Sequence, residues 1–157
     1  MYKRQLQDSL GDYAGSAESG RHAVAIMDRL GHLIEGEDGP AIHVRALLQL
    51  ACAYRALGRY PEAEQEALRA IPVAQNAFGP EATQTCAAYN NLAVIYKFMG
   101  RFDEAEKLYH RALASAVRVY GEDHWEASGI YHNLGGLEHA RGRFDRAEPF
   151  ARAMRFG

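Results

Sequence analysis

The chain has 157 residues, 48% of them apolar and 24% charged, which is one domain of globular composition able to bury its own core. A formal charge of -2 argues against a nucleic-acid partner, whose binding domain would be distinctly basic. No apolar run approaches the ~18 residues that span a bilayer, the N-terminus lacks a signal peptide's apolar stretch, and Cys52 and Cys86 lack the CxxC spacing of a zinc knuckle. The expectation is a cytoplasmic protein with no membrane partner, its two thiols small buried apolar side chains.

Helical spacing of apolar residues predicts eight helices in chain order, over 5–17, 20–35, 41–57, 61–76, 82–99, 103–119, 124–141 and 145–156. No alternating run competes as a strand. Met1–Gln5 resembles the translation of a transposon-end adaptor used in sequencing libraries and carries no weight in the fold. Gly100 is expected to stop one helix, where positive φ is cheap only for glycine. Asp103 is expected to cap the next. Pro61 suits a first helical turn, and Pro149, slightly deeper, is expected to loosen the start of the last helix.

The helices come in copies. Asn91-Leu92, Gly100-Arg101-Phe102-Asp103 and Ala105-Glu106 return 42 positions later as Asn133-Leu134, Gly142-Arg143-Phe144-Asp145 and Ala147-Glu148. The same step backwards reaches Leu50, Gly58, Tyr60 and Ala63, and it also links Gly79 to Gly121. A degenerate copy lies upstream at an offset of 40, with Gly39-Pro40 matching Gly79-Pro80 and Ala23 matching Ala63. It carries Glu18 and Gly20 where the others have Gly and an aromatic. The units are therefore 6–38 (degenerate), 39–78, 79–120 and 121–157. One hairpin cannot bury its apolar face alone, so stacking must supply a single continuous core.

Leu92-Ala93, Tyr96, Gly100, Phe102, Ala105, Tyr109 and Ala112 resemble the tetratricopeptide repeat (TPR). The usual period is about 34. Eight extra residues are roughly two helical turns. The longer period, Asn90-Asn91-Leu92-Ala93 and the Gly-Glu-Asp-His loop at 121–124 are similar to the kinesin light chain-like subclass. The departures are Glu138 in place of Tyr, Ala67 and Ala151 in place of the aromatic at Tyr109, and Trp125 in place of Pro. The resemblance implies an all-α, right-handed superhelical solenoid of antiparallel hairpins. Its first helices would line a concave groove that holds an extended peptide or a partner's helix.

No HExxH, GxSxG, phosphate-cradling loop or Cys/His cluster appears, so no catalytic residue, cofactor or metal is expected. His132 and His139, seven apart, share a helix face but are too far apart to make a metal pair unaided. His124 is expected to make a capping or loop hydrogen bond. The superhelix that the resemblance implies would place Arg55, Lys97 and His139 in one basic column on the concave wall. Gln49, Asn91 and Asn133 form an amide row, Asn90 and His132 stand one step earlier, and Arg45 lies one turn toward its helix start. Amides can grip an extended backbone and the cations can meet carboxylates. The partner expected is a protein or peptide, with an acidic or C-terminal segment. Solvated helix faces, or asparagines that merely join neighbouring helices, remain the alternative. Phe98 reads equally as an exposed anchor or as packing between units.

The last helix carries Phe150, Met154 and Phe156, which a following unit would cover. The chain is accordingly expected to be a fragment of a larger multidomain bacterial regulator or assembly protein. The other expectation is a structural segment that self-associates through this surface as a homodimer.

Overall fold

The structure, a computed structural model, describes the backbone of residues 2–153 and the side chains of residues 11–150. The helices are α1 (Tyr2–Leu30), α2 (Asp38–Ala56), α3 (Tyr60–Phe78), α4 (Thr83–Phe98), α5 (Phe102–Tyr120), α6 (Trp125–Ala140) and α7 (Phe144–Ala153), with a 3-10 turn at Gly31–Leu33. Helices α2 and α3, α4 and α5, and α6 and α7 form three hairpins, stacked in chain order. Each first helix also packs on the next first helix, α2 on α4 and α4 on α6, so these three make an inner layer.

The hairpin elbows follow from one local conformation. Gly58, Gly100 and Gly142 have φ of 74°, 76° and 73°. Each lets the chain fold back onto the last turn of its helix. Arg59 N–H donates to Tyr54 O at 2.8 Å, Arg101 N–H to Tyr96 O at 2.9 Å, and Arg143 N–H to Glu138 O at 2.9 Å. These bonds satisfy carbonyls that a helix end would otherwise leave bare. Alanine at 63 and 105 is fully buried, so the two helices of a hairpin approach closely there. Leu47, Leu50, Leu92, Ile95, Leu134 and Leu137 fill the core between layers, and each fully buried leucine contributes about 1.5–3 kcal/mol.

The first unit departs from expectation. Instead of two helices over 5–17 and 20–35, α1 runs unbroken for 29 residues. Glu18 stands where the elbow glycine belongs, and a residue with a Cβ resists positive φ. With no stop, the helix continues. Ala17, Val24 and Met27 are buried, while residues 11–16 are exposed. Gly39 is not a turn glycine either. It lies buried in the first turn of α2, where a Cβ would come within 2.8 Å of Gly31 O. The turn is made by Gly36, at φ 72°.

Smaller expectations are also corrected. Asp103 does not cap α5, which starts at Phe102 without a side-chain cap; its carboxylate instead accepts from Arg141 at 2.6 Å. Pro149 sits inside α7 without ending it. His124 does cap, its Nδ1 accepting from Glu126 N–H at 3.3 Å. Cys86 is buried, but Cys52 is only half-buried.

Arginines line the elbows, and two of them tie unit to unit. Arg59 lies 4.6 Å over the Tyr54 ring and bonds Glu62 at 2.9 Å. Arg101 lies 4.0 Å over Tyr96 and reaches Glu64 of the preceding unit at 2.6 Å. The next unit has Glu138 in place of the tyrosine, and Arg141 bonds it at 2.8 Å while reaching Glu106 of the preceding unit at 2.8 Å. Among the described residues, no helix is long and apolar enough to cross a membrane.

Candidate functional site

The inner layer bounds an open groove of about 1520 Å³ between α1, α2 and α4. Arg45, Gln49, Arg55 and Asn91, expected on the concave wall, line it. Lys97, Asn90, His132, Asn133 and His139 lie outside this stretch. Tyr13 and Gln84 line it without having been singled out in the sequence, and Cys52, expected as a buried thiol, lines it too. Tyr13 lies on α1 at the register position of Ala53 on α2, which lines the groove too, so the offset of 40 is the signal that could have placed it.

The amides are largely engaged within the array. Asn91 donates from Nδ2 to Ala87 O at 2.9 Å, and its Oδ1 accepts from the Cys52 thiol at 3.2 Å, which joins α4 to α2. Asn133 Nδ2 donates to Asn90 Oδ1 at 3.0 Å, which joins α6 to α4. The asparagines therefore carry the contact between neighbouring first helices, whatever else they do.

The cations differ. Among the described residues no carboxylate lies within ion-pair distance of Arg45, Arg55 or Lys97. Arg55 sits 5.3 Å from the Phe98 ring centre and Lys97 Nζ 5.7 Å from it. Phe98 is both packed and open, stacked on Tyr60 at 6.2 Å yet half exposed. Lys97 stretches toward α6, where a Cβ on Gly136 would lie 3.5 Å from Nζ. Burial, and after it the charge of Arg55, hold the Lys97 ammonium below its ordinary pKa. The Tyr109 hydroxyl is buried without a hydrogen-bond partner. Burial pushes its pKa up, and Arg55 opposes the shift. A cluster of positive charge with no internal counter-charge can hold an anionic group from outside.

His139 completes the column in register only. It lies edge-on to Phe144 at 4.9 Å, and His132 is exposed. Phe150 stacks on Tyr131 at 6.5 Å and packs against the core of its own hairpin. Met154 and Phe156 lie outside the described residues. Among the described residues no group of His, Cys, Asp and Glu is arranged to hold a metal ion.

The sequence profile of the tetratricopeptide repeat matches residues 43–114 and again 84–153. No curated protein matches the chain. Among solved structures, BtubC (BKLC) from P. vanneervenii superposes with a TM-score of 0.65 at 22% identity, covering 96% of this chain and 73% of that one. A kinesin light chain protein with nearly identical TPR-like repeats from Podosopora anserina superposes with a TM-score of 0.64 at 18% identity, covering 96% and 73%. At these identities the likeness is one of fold.

Proposed function

The chain belongs to the tetratricopeptide repeat family, whose domains are generally protein-interaction scaffolds and typically non-catalytic, and on that premise we propose that its concave face captures an acidic or C-terminal segment of a partner protein. One observation carries the reading. Arg45 and Arg55 line the groove, Lys97 stands beside Arg55 over the same Phe98 ring, and among the described residues none of the three has a carboxylate within ion-pair distance, whereas Arg59, Arg101 and Arg141 at the elbows each have one. Lys97 is held half-buried beside Arg55, with the Phe98 ring between them in place of a counter-charge. A ligand carboxylate would relieve that repulsion and pair with both groups. Asn90 and Asn133 would add their remaining amide capacity along the column, and His132 and His139 would extend it.

The experiment is direct binding by fluorescence anisotropy, with labelled acidic peptides ending in a free carboxylate. Arg55→Glu combined with Lys97→Glu should weaken capture while the thermal midpoint stays in place. Undiminished capture by the double variant would remove the column from the site.

A further inference from the structure

We infer that the loop between α5 and α6 docks an arginine of a partner protein, held between the exposed Trp125 ring and the carboxylates of Glu122 and Asp123. None of these residues lines the groove. The surface seeks the opposite charge and does not rest on the reading of the concave face.

The first ground is an internal copy of the same loop. Gly79 and Gly121 follow α3 and α5 with φ of 95° and 91°. The chain then turns alike, with Ala82 N–H donating to Gly79 O and His124 N–H to Gly121 O, each at 3.4 Å. Glu81 and Thr83 in one loop therefore stand where Asp123 and Trp125 stand in the other. In the first loop both are met from α5. Arg118 pairs with Glu81, and the Tyr120 hydroxyl is hydrogen-bonded to that of Thr83. In the second, among the described residues, neither Glu122 nor Asp123 has an ion-pair partner. The array itself sets an arginine against such a loop, and here that place is open.

The second ground is the ring. Trp125 is 72% exposed. It stands 5.5 Å from the His124 ring, which stacks on Tyr120 at 4.5 Å. His124 is pinned in turn by accepting from Glu126 N–H. A fixed shelf of rings thus backs the indole, and its exposed remainder is free for a ligand. A guanidinium stacks on an indole face while its N–H fork meets a carboxylate, which an ammonium cannot reproduce. The chain uses this combination within itself. Arg59 takes Tyr54 and Glu62, Arg101 takes Tyr96 and Glu104, and Arg141 takes Phe102 and Glu138. At Trp125 the ring and the carboxylates are present without the arginine.

The third ground is charge. The N-terminus of α6 carries about half a positive charge, and Glu126 in its first turn offsets that alone. Arg118 is committed to Glu81. Glu122 and Asp123, both exposed, are left uncompensated beside the indole.

Trp125 is the chain's single tryptophan, so its emission reports on its own site. The whole chain is titrated with three synthetic ten-residue peptides of alanine, serine and glycine that differ at two positions, carrying arginine, lysine or glutamine there. The arginine peptide should change the emission along a saturating curve. Lysine should bind severalfold more weakly and glutamine at least tenfold more weakly. With the arginine peptide labelled and read by anisotropy, Trp125→Ala should reduce binding at least fivefold, as should Glu122→Gln combined with Asp123→Asn. The thermal midpoint should stay in place, since all three side chains are exposed. Trp125→Phe, which keeps a ring, should lose less. Glu35→Gln with Glu37→Gln, exposed acids in a loop without an indole, should change nothing. Arg55→Glu with Lys97→Glu should also leave this binding in place, which separates its outcome from that of the concave face. Equal binding of lysine and arginine overturns the stacked guanidinium. An equal loss from the 35 and 37 pair means diffuse attraction and overturns the site. No emission change at millimolar peptide overturns the docking altogether. A concentration-dependent dimer abolished by Trp125→Ala overturns the partner and makes a second copy the occupant.

Discussion

At the elbows, arginine is spent on the fold; in the groove, it is not. Arg59, Arg101 and Arg141 each find a ring and at least one carboxylate. Arg45, Arg55 and Lys97, only a helix away, have no carboxylate within ion-pair distance among the described residues. The elbow cations lie beside a helix start rich in acid, since Glu62, Asp103 and Glu104 occupy the first turns of α3 and α5. The groove cations lie on inner helices whose neighbours across the groove are small and neutral. One residue type thus serves two ends, and the surrounding acid content decides which.

The sharpest way to break this contrast is to remove an elbow cation whose partner is buried. Glu138 is 4% exposed, and Arg141 is its counter-charge. Arg141→Met should cost about 3 kcal/mol in urea unfolding, because it strands a buried carboxylate. Adding Glu138→Tyr recreates the Tyr and Met pair found at Tyr96 and Met99 and should recover most of the loss. If the single variant loses under 1 kcal/mol, the elbow network is dispensable and the contrast with the groove collapses. The groove counterpart is the Arg55→Glu, Lys97→Glu double variant. It should lose tenfold or more in affinity for an acidic peptide, about 1.4 kcal/mol or more, with no loss of stability. A stability loss comparable to that of Arg141→Met would mean that these cations also hold the fold. Gly100→Ala comes next. Open space surrounds a Cβ there, so only the backbone penalty at φ 76° applies, and unfolding should move by about 1 kcal/mol.

The 42-residue step exposed the elbows, because the turn needs glycine and nothing else fits cheaply. The ends of α2, α4 and α6 follow from those glycines and the start of α3 from Pro61, and the structure moves each by a single residue. The first unit was misread because Ala23 and Gly39 match by type, whereas the decisive residue is the missing glycine at 18. Arg55 and Asn91 were legible as wall residues once the superhelix was assumed. Their partners were not. The bond from Asn133 to Asn90 spans 43 positions and that from Cys52 to Asn91 spans 39, and both depend on how far one hairpin rotates over the next. No local pattern encodes that rotation. The arginine register was also misleading. Arg143 matches Arg101 in sequence, yet Arg141 takes over the contact with Glu106. Glu138, three residues before Arg141, is the cue, since residues at that spacing face each other on a helix.

Acid should separate the two regions most gently. Hydrogen bonds from Arg59 and Arg101 hold Glu62 and Glu104 below the ordinary carboxylate range, and Arg141 does the same for Glu106. A carboxyl whose folded pKa lies below its unfolded value near 4.3 stabilises the fold fully above that value. The contribution fades as pH falls through the lower, folded value. The thermal midpoint should therefore hold between pH 7 and 5 and decline below about 4.3. Arg101→Ala should flatten the decline, since Glu104 would lose the largest cause of its lowered pKa. Arg55→Ala should leave its slope unchanged, because among the described residues no carboxylate pairs with the groove cation. If Arg55→Ala flattens the decline as much as Arg101→Ala does, the groove cation is paired in solution, and the two regions differ less than their geometry indicates.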